Sequence, residues 1–534
     1  MSNIVGFQSG HDVSYCLLSN GKPKIHEELE RFSRVKEQLG DGLKMYFDMN
    51  DTKENQVDFF SFGNFSGRSG RWAPRTADLE ADTTMKRILN KNNGKFYELS
   101  HHMSHAANAF FSSNYKDALI VTIDGGGNES DGSVTCATIY KGSNNKIEKV
   151  KNFDFFDLNI GVGWNFVTTL FGLSISYPKG NQAGTVMAMA SMSDSKKYVN
   201  QLVDVMTKKQ ESLEASSNPQ QYGEKIFGKK VFSEDDKFEI ASSLQEATEI
   251  VFREAVKDNI SKFKVKNLCI AGGCALNSVL IGKIQSWFPD VKNIYVPPVP
   301  YDSGLAIGSA QYLWHQILDN KRIQWIDNFT PYLGRQYSMT EIMDALDTFE
   351  GFLKVTIVDE LEVLELLNNQ RIVSVFGGGS ESGRRALGNR SILADPRSNE
   401  MKDLINKEVK HRQWFRPFAP SIIKESVKDW FEQDVSSPYM THVVKWKENK
   451  RKNVPAVVHF DNTARLQTVT KNDNNWYYHF LKKWEKVSKV PVLLNTSFND
   501  TEPIVETPLH ALNCFLKTKI NYLYFYDFNI LVSK

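Results

Sequence analysis

Ala118-Leu119-Ile120-Val121-Thr122-Ile123-Asp124-Gly125-Gly126-Gly127 is a short apolar run that ends in an aspartate and three glycines. Aliphatic and β-branched residues over so few positions read as a buried strand, and the glycines read as the turn that ends it. Ser133 to Tyr140 follows as a second strand with Lys141-Gly142-Ser143-Asn144 as its turn. The same succession stands at the start of the chain. Ile4 to Phe7 is strand-like, and Val13 to Leu18 and Lys24 to Glu28 flank Ser19-Asn20-Gly21-Lys22, where Asn-Gly signals a hairpin. One strand-and-hairpin topology is used twice.

That duplication is similar to the actin-like and sugar-kinase-like ATPases, so the expected class is α/β, a duplicated actin/sugar-kinase-like domain followed by a smaller α/β domain. Leu244, Ala247, Val251 and Ala255 recur at helical spacing before a strand, Leu268 to Ala271, then Gly272-Gly273 and a helix opening at Ala275-Leu276-Asn277. Glycines there let backbone approach a ligand, and the helix would aim N–H groups at an anion; a tight turn that binds nothing is the other reading. Residues 208–230 are polar without sustained period and read as a surface insertion. Trp325 to Tyr337, with Pro331 and Gly334, reads as a linker, giving domains 1–334 and 335–534, the second introduced by the strand Ile372 to Phe376.

The 534 residues exceed what one core holds, about 250 to 300, so two domains are expected. With 41% hydrophobic and 24% charged residues the composition is globular, and 65 Lys plus Arg against 63 Asp plus Glu exclude a polycation but not a basic groove. Five scattered cysteines, Cys16, Cys136, Cys269, Cys274 and Cys514, form neither zinc pairs nor a disulfide framework and suit a reducing cytoplasm. No apolar stretch reaches the ~18 residues of a membrane helix, and Ile4 to Phe7 stands where a signal peptide would. A soluble cytoplasmic protein with no membrane partner is expected.

Three of the eleven histidines fall within Ser100-His101-His102-Met103-Ser104-His105. His101 and His105, four apart on a helix, present their rings to one side, either as a metal pair for iron, zinc, nickel or copper or as incidental residues of a helix face. Asp124 and Asp302 could complete a mixed site, although spacing alone nominates neither. Glu381-Ser382-Gly383-Arg384-Arg385-Ala386-Leu387-Gly388-Asn389-Arg390-Ser391 and Lys410-His411-Arg412-Gln413-Trp414-Phe415-Arg416-Pro417-Phe418 crowd cations among apolar residues, which points to an anionic substrate. A basic nucleic-acid surface is the alternative. Leu493-Leu494-Asn495-Thr496-Ser497-Phe498-Asn499 ends a strand in polar side chains, suited to a small polar ligand or to a helix cap.

Together these segments resemble the O-carbamoyltransferases of nodulation-factor and antibiotic carbamoylation. Further matching blocks are Gly10-His11-Asp12, Glu27 to Lys36, Pro297 to Gly304, Arg416-Pro417-Phe418-Ala419-Pro420, His459 to Gln467 and Glu502 to Val505. The resemblance implies an N-terminal domain similar to the tRNA threonylcarbamoylation ATPase and a C-terminal carbamoyl-adenylate-forming domain. It implies that carbamoyl phosphate and ATP give carbamoyl adenylate at Arg385, Arg390, Lys410, Arg412 and Arg416, with Ser497 and Asn499 holding the carbamoyl group or nucleotide. It also implies a divalent metal, Fe2+ first, on His101, His105, Asp124 and Asp302, with Mg2+ as a further cofactor. Gly126, Gly273 and Asn277 would cradle the nucleotide, His11 or Asp12 would orient or deprotonate an acceptor hydroxyl, and Lys36 would contact acceptor or phosphate.

The chain departs from that family at three places: Gly379 stands where an arginine is usual, Arg384 where a proline is, and Thr185 where a lysine is. The acceptor that the resemblance implies is a natural product, a sugar or the hydroxymethyl group of a modified nucleobase such as hydroxymethylcytosine. The basic run Arg68-Ser69-Gly70-Arg71-Trp72-Ala73-Pro74-Arg75 keeps a nucleotide or DNA acceptor open, with Trp72 able to stack on a base. A tRNA threonylcarbamoylation-type enzyme and a non-catalytic ATP-binding regulator are the competing functions. A homodimer is a further expectation.

Overall fold

The computed structural model describes residues 2–50, 56–64, 95–174 and 180–534; the basic run Arg68 to Arg75 lies outside them. The chain divides into two compact units, Met1–Trp325 and Ile326–Lys534. In the first, β1 (Asn3–Gln8), β2 (Ser14–Ser19), β3 (Lys22–Glu28), β4 (Phe59–Phe62) and β5 (Phe96–Glu98) form a sheet of order β3-β2-β1-β4-β5. A second sheet holds β6 (Asp117–Asn128), β7 (Val134–Ser143), β8 (Lys146–Asp154), β9 (Asn267–Ala271) and β10 (Asn293–Tyr295) in the order β8-β7-β6-β9-β10. Strand directions also correspond, with two antiparallel pairs followed by two parallel ones in each sheet. The duplicated α/β architecture is thus written in the backbone.

Local chemistry explains the hairpins and corrects two turns. Asn20 and Gly21 take φ of 48° and 78°, the left-handed pair that a two-residue hairpin turn of this hand requires. The turn expected at Lys141 to Asn144 sits later, because β7 runs to Ser143 and Asn144 (φ 51°) makes the reversal. The glycines after Asp124 do not end β6: the strand continues to Asn128 through a register break between Ile123 and Gly127. Such a bulge re-aims the side chains beside it, here Asp124. At Gly272 (φ 94°) a Cβ would stand 2.1 Å from the Ile123 carbonyl oxygen, so close crossing of β9 and β6 demands glycine.

Residues 208–230 are not a surface insertion. They form the helices Lys209–Ser217 and Pro219–Phe227, which bury Ser212, Ala215, Tyr222 and Phe227, with Phe227 stacked on Phe166 at 6.1 Å between centroids. The break at Asn218-Pro219 hid their period. Among the described residues no helix is long and apolar enough to cross a membrane.

The second unit is built on one mixed sheet. Its strands β11 (Lys354–Ile357), β12 (Val373–Phe376), β13 (Arg390–Ala394), β14 (Ala419–Ile423), β15 (His442–Lys445), β16 (Thr463–Val469), β17 (Val492–Ser497), β18 (Tyr522–Phe525) and β19 (Ile530–Ser533) take the order β11-β19-β18-β12-β13-β17-β14-β16-β15. Apolar clusters around Trp446 and Phe515 and around Tyr477 and Trp484 bury its helices. Residues 326–334 pack with this unit rather than ending the first: Tyr439 Oη donates to the Phe329 carbonyl at 2.5 Å and Asn328 Nδ2 to Asp473 at 3.0 Å. The division therefore precedes the 334/335 boundary drawn from sequence.

Candidate functional site

In the first unit, the helix His101–Ser112 starts immediately after Ser100, so His101 and His105 lie one turn apart on its buried side. Their Nε2 atoms stand 3.1 Å from each other. Asp124, carried on the β6 bulge, brings Oδ2 to 3.2 Å from His105 Nε2 and 3.9 Å from His101 Nε2, and Asp302 Oδ1 lies 3.5 and 3.8 Å from the same atoms. One ligand atom from each of the four lies within 4.8 Å of every other. Burial works against charging His105, yet the two carboxylates outweigh it and raise its pKa to about 9. Two imidazoles and two carboxylates converging in this way fit a divalent transition ion. His102 is excluded from the cluster, since Nδ1 meets Thr122 Oγ1 at 2.8 Å and Nε2 meets the Thr135 carbonyl at 2.9 Å.

Other residues singled out in sequence gather around this centre. Asp124 accepts N–H groups from Gly125 (2.6 Å) and Gly273 (2.7 Å), so the glycine turn after β9 is tied to the cluster. Gly126 lies in the same bulge with φ 150°. Asn277 acts on the backbone and on a neighbouring helix: its Oδ1 caps the helix Ser278–Trp287 by accepting Leu280 N–H, and its Nδ2 donates to Gln245. His11 joins the centre through Nε2, 3.4 Å from Asp302 Oδ2, while its Nδ1 lies 3.1 Å from Asp12 Oδ2. Desolvation opposes its protonation, but Asp302, then Asp12 and Asp124, raise its pKa to about 10. Half of the His11 side chain remains exposed. Lys36 lies against Gly180, next to Glu37, which accepts the Asn181 N–H.

In the sequence, Glu27 to Lys36 stands out only as a block shared with the family. In the structure part of it supports the Asp302 loop. Tyr301 Oη donates to Glu28 at 2.5 Å, His26 Nε2 and Ser14 Oγ donate to the Ser303 carbonyl, and Ser303 Oγ donates to the Asp12 carbonyl. These bonds hold that loop against His11 and Asp12.

In the second unit, Lys410 Nζ is buried and donates to Ser497 O and Oγ and to Asn499 O and Oδ1, at 2.5 to 3.1 Å. Three of the expected residues therefore form one group. Arg412 donates through Nε to Asn406 and lies over the Phe418 ring. Burial holds the Arg416 pKa down at about 10 and lowers that of Arg412 further, with Arg416 as a second cause. Arg465, not nominated from sequence, belongs with them: burial first, then the charges of Arg385, Arg416 and Arg412, press its guanidinium towards losing its proton. Its Nε is buried without a hydrogen-bond partner among the described residues. Three guanidiniums acting on a fourth make a group whose chemistry suits an anion.

Arg390 is placed elsewhere. It is fully buried, stacks at 3.7 Å over the Phe376 ring, and donates to the carbonyls of Gly377, Asn389 and Arg335. It braces the loops rather than extending the cationic group. Glu381, also missed as a functional residue, accepts the N–H groups of Leu387 (2.6 Å), Asn389 (3.2 Å) and Arg390 (3.2 Å) and so pins the loop that carries Arg385. Gln467 and Asn495 hold the same loop through the carbonyls of Leu387 and Ala386. A Cβ at Gly379 would meet the Gly334 carbonyl oxygen at 2.9 Å, which accounts for glycine there. Thr185 is buried in the helix Ala183–Met189.

Two family profiles match this chain, Carbamoyltransferase N-terminus over residues 70–311 and Carbamoyltransferase C-terminus over residues 364–532. The chain belongs to the carbamoyltransferase family and is a carbamoyltransferase. It is 31% identical to an uncharacterized protein of Methanocaldococcus jannaschii over 99% of each chain. It is 31% identical to nodulation protein NolO of Bradyrhizobium diazoefficiens over 79% of this chain and 77% of that one. Nodulation protein NolNO of Sinorhizobium fredii is 32% identical over 79% of this chain and 62% of its own. Among solved structures, T. kodakarensis HypF aligns at 13% identity with a TM-score of 0.36, over 59% of this chain and 48% of that one, too remotely to inform the site.

Proposed function

We propose that the chain is an ATP-dependent O-carbamoyltransferase with a division of labour between its units. The observation that carries this reading is the pair of unlike clusters, one of guanidiniums and a lysine in the second unit and one of imidazoles and carboxylates in the first. In the second unit carbamoyl phosphate loses phosphate by hydrolysis. The resulting carbamate oxygen attacks the α-phosphorus of ATP, and pyrophosphate leaves to give carbamoyl adenylate. Arg385, Arg412, Arg416 and Arg465 stabilise phosphate charge as it develops, and Lys410 with Ser497 and Asn499 holds the carbamoyl end. Glu381 keeps the Arg385 loop in shape, and Arg390 braces the surrounding fold. Arg384 supplies the charge that an arginine at Gly379 would have supplied; Arg384→Ala with unaltered adenylate formation would sink that assignment.

In the first unit the acceptor hydroxyl oxygen bonds to the carbamoyl carbon, AMP leaves, and the hydroxyl proton passes to the Asp12 carboxylate, beside the protonated His11 that orients the acceptor. A divalent ion, Fe2+ in preference to Mg2+, held by His101, His105, Asp124 and Asp302 would supply Lewis-acid stabilisation of phosphate charge. Gly126 and Gly273 leave room for the nucleotide, and Asn277 shapes the turn beside them. Acceptors of choice are a sugar, a natural product or a hydroxymethylated nucleobase. Five scattered cysteines, without the spacing of a disulfide framework, support an intracellular setting.

The test is purified protein with ATP, carbamoyl phosphate and Fe2+, with and without candidate acceptors, followed by pyrophosphate release and product mass. Pyrophosphate that requires carbamoyl phosphate, with an acceptor gaining one carbamoyl unit, is expected. Folded, metal-loaded protein that releases none would overturn the proposal.

A further inference from the structure

A cleft of about 500 Å³ in the second unit is lined by Trp414, Phe460, His459, Lys402 and Arg451, with Asn399 and Asp403 among its polar groups. The Trp414 and Phe460 rings meet at 88° with centroids 5.5 Å apart, and the two residues are 49% and 48% exposed. They form an open corner in which a flat ligand can lie on one ring and meet the edge of the other. Lys402 Nζ stands 4.2 Å from the Phe460 centroid, which makes the corner cationic as well as aromatic.

The corner is built into the guanidinium group described above. Trp414 lies in the chain between Arg412 and Arg416, and the buried Asn406 side chain ties all three: its Nδ2 donates to the carbonyls of Trp414 (3.2 Å) and Arg416 (3.0 Å), and its Oδ1 accepts from Arg412 Nε (2.8 Å). Phe460 sits in the tight turn His459–Thr463, closed by His459 N–H to the Thr463 carbonyl at 2.9 Å, which leads directly into the strand bearing Arg465. The segment of Arg412 and Arg416 and the segment of Arg465 each deliver a ring as well.

We infer that this corner binds the purine base of ATP, stacked on Trp414 and edged by Phe460, with its phosphates reaching the guanidiniums. The inference rests on the reading that the second unit binds ATP. Stacking on aromatic side chains gives the base affinity, and Asn399 and Asp403 offer acceptors to the exocyclic amine of adenine. A protein or peptide occupant is disfavoured by a volume that matches a small-molecule site.

The experiment measures binding of ATP and of inorganic tripolyphosphate, which has the charge without the base, to the full chain and to its Trp414→Ala, Trp414→Phe, Phe460→Ala and Arg465→Ala variants by calorimetry. Stacking on a base is worth about 1–3 kcal/mol, so Trp414→Ala should weaken ATP by roughly five- to 150-fold and leave tripolyphosphate unchanged. Trp414→Phe should recover part of the loss, and Arg465→Ala should weaken both ligands. ATP bound equally by wild type, Trp414→Ala and Phe460→Ala, with Arg465→Ala still weakening both ligands, would overturn the inference and leave the ATP reading standing. Wild-type protein that binds neither ligand would overturn both.

Discussion

Glu381→Gln isolates the idea that a carboxylate positions the loop carrying Arg385. In the wild type one carboxylate oxygen accepts three backbone N–H groups, from Leu387, Asn389 and Arg390. A hydrogen bond to a charged acceptor is worth about 1 kcal/mol more than one to a neutral acceptor. Three bonds sharing one oxygen do not add fully, so neutralising it should cost about 2 kcal/mol of loop order. Where the loop must be ordered to present Arg385, that loss appears as a fall of roughly thirtyfold in kcat/KM for carbamoyl phosphate-dependent pyrophosphate release. Thermal unfolding, followed in parallel, should shift down by a few degrees. A variant that loses the thermal stability but keeps kcat/KM within about twofold of wild type would refute the reasoning, because the loop would then be a structural brace and no more.

His105→Ala should abolish carbamoyl transfer to acceptor while carbamoyl phosphate-dependent pyrophosphate release stays within about threefold of wild type; both products can be read from one reaction, and joint loss would contradict the division between units. His315 is buried against Phe111, and burial lowers its pKa to about 4 from an unfolded value near ~6.5. Its contribution to stability is therefore whole above pH ~6.5 and is lost as pH falls towards 4, at most on the order of 3 kcal/mol, and urea midpoints of wild type and His315→Gln between pH 7 and 4.5 should converge. Arg390→Lys should destabilise the second unit by about 2 kcal/mol, through the lost Phe376 stack and carbonyl contacts, while leaving the KM for ATP unchanged in the folded fraction; a raised KM would return Arg390 to the phosphate pocket.

What could be read from sequence followed from short-range chemistry. Asn20-Gly21 announced its hairpin because few residues accept left-handed backbone, and His101 and His105 announced a shared face because helical spacing is local. Asp302 could be named only through family resemblance, since its approach to His101 depends on loops that meet in three dimensions. The glycines after Asp124 misled for a physical reason: glycine suits both a turn and a bulge, and only the pairing with β7 decides. Arg390 looked like the cations that neighbour it in sequence, whereas the Phe376 ring and the Gly377 and Arg335 carbonyls that claim it lie on other segments. Arg465 and Glu381 lie in segments that the sequence picks out, yet neither is singled out there, because a lone arginine in a strand and a lone glutamate carry no local signature.

The central claim is that the second unit makes carbamoyl adenylate, and exchange of labelled pyrophosphate into ATP tests it most directly. The purified chain should catalyse exchange when carbamoyl phosphate is present and not when it is omitted, with no acceptor needed. Exchange that ignores carbamoyl phosphate, or none from folded protein that binds ATP, would contradict the account.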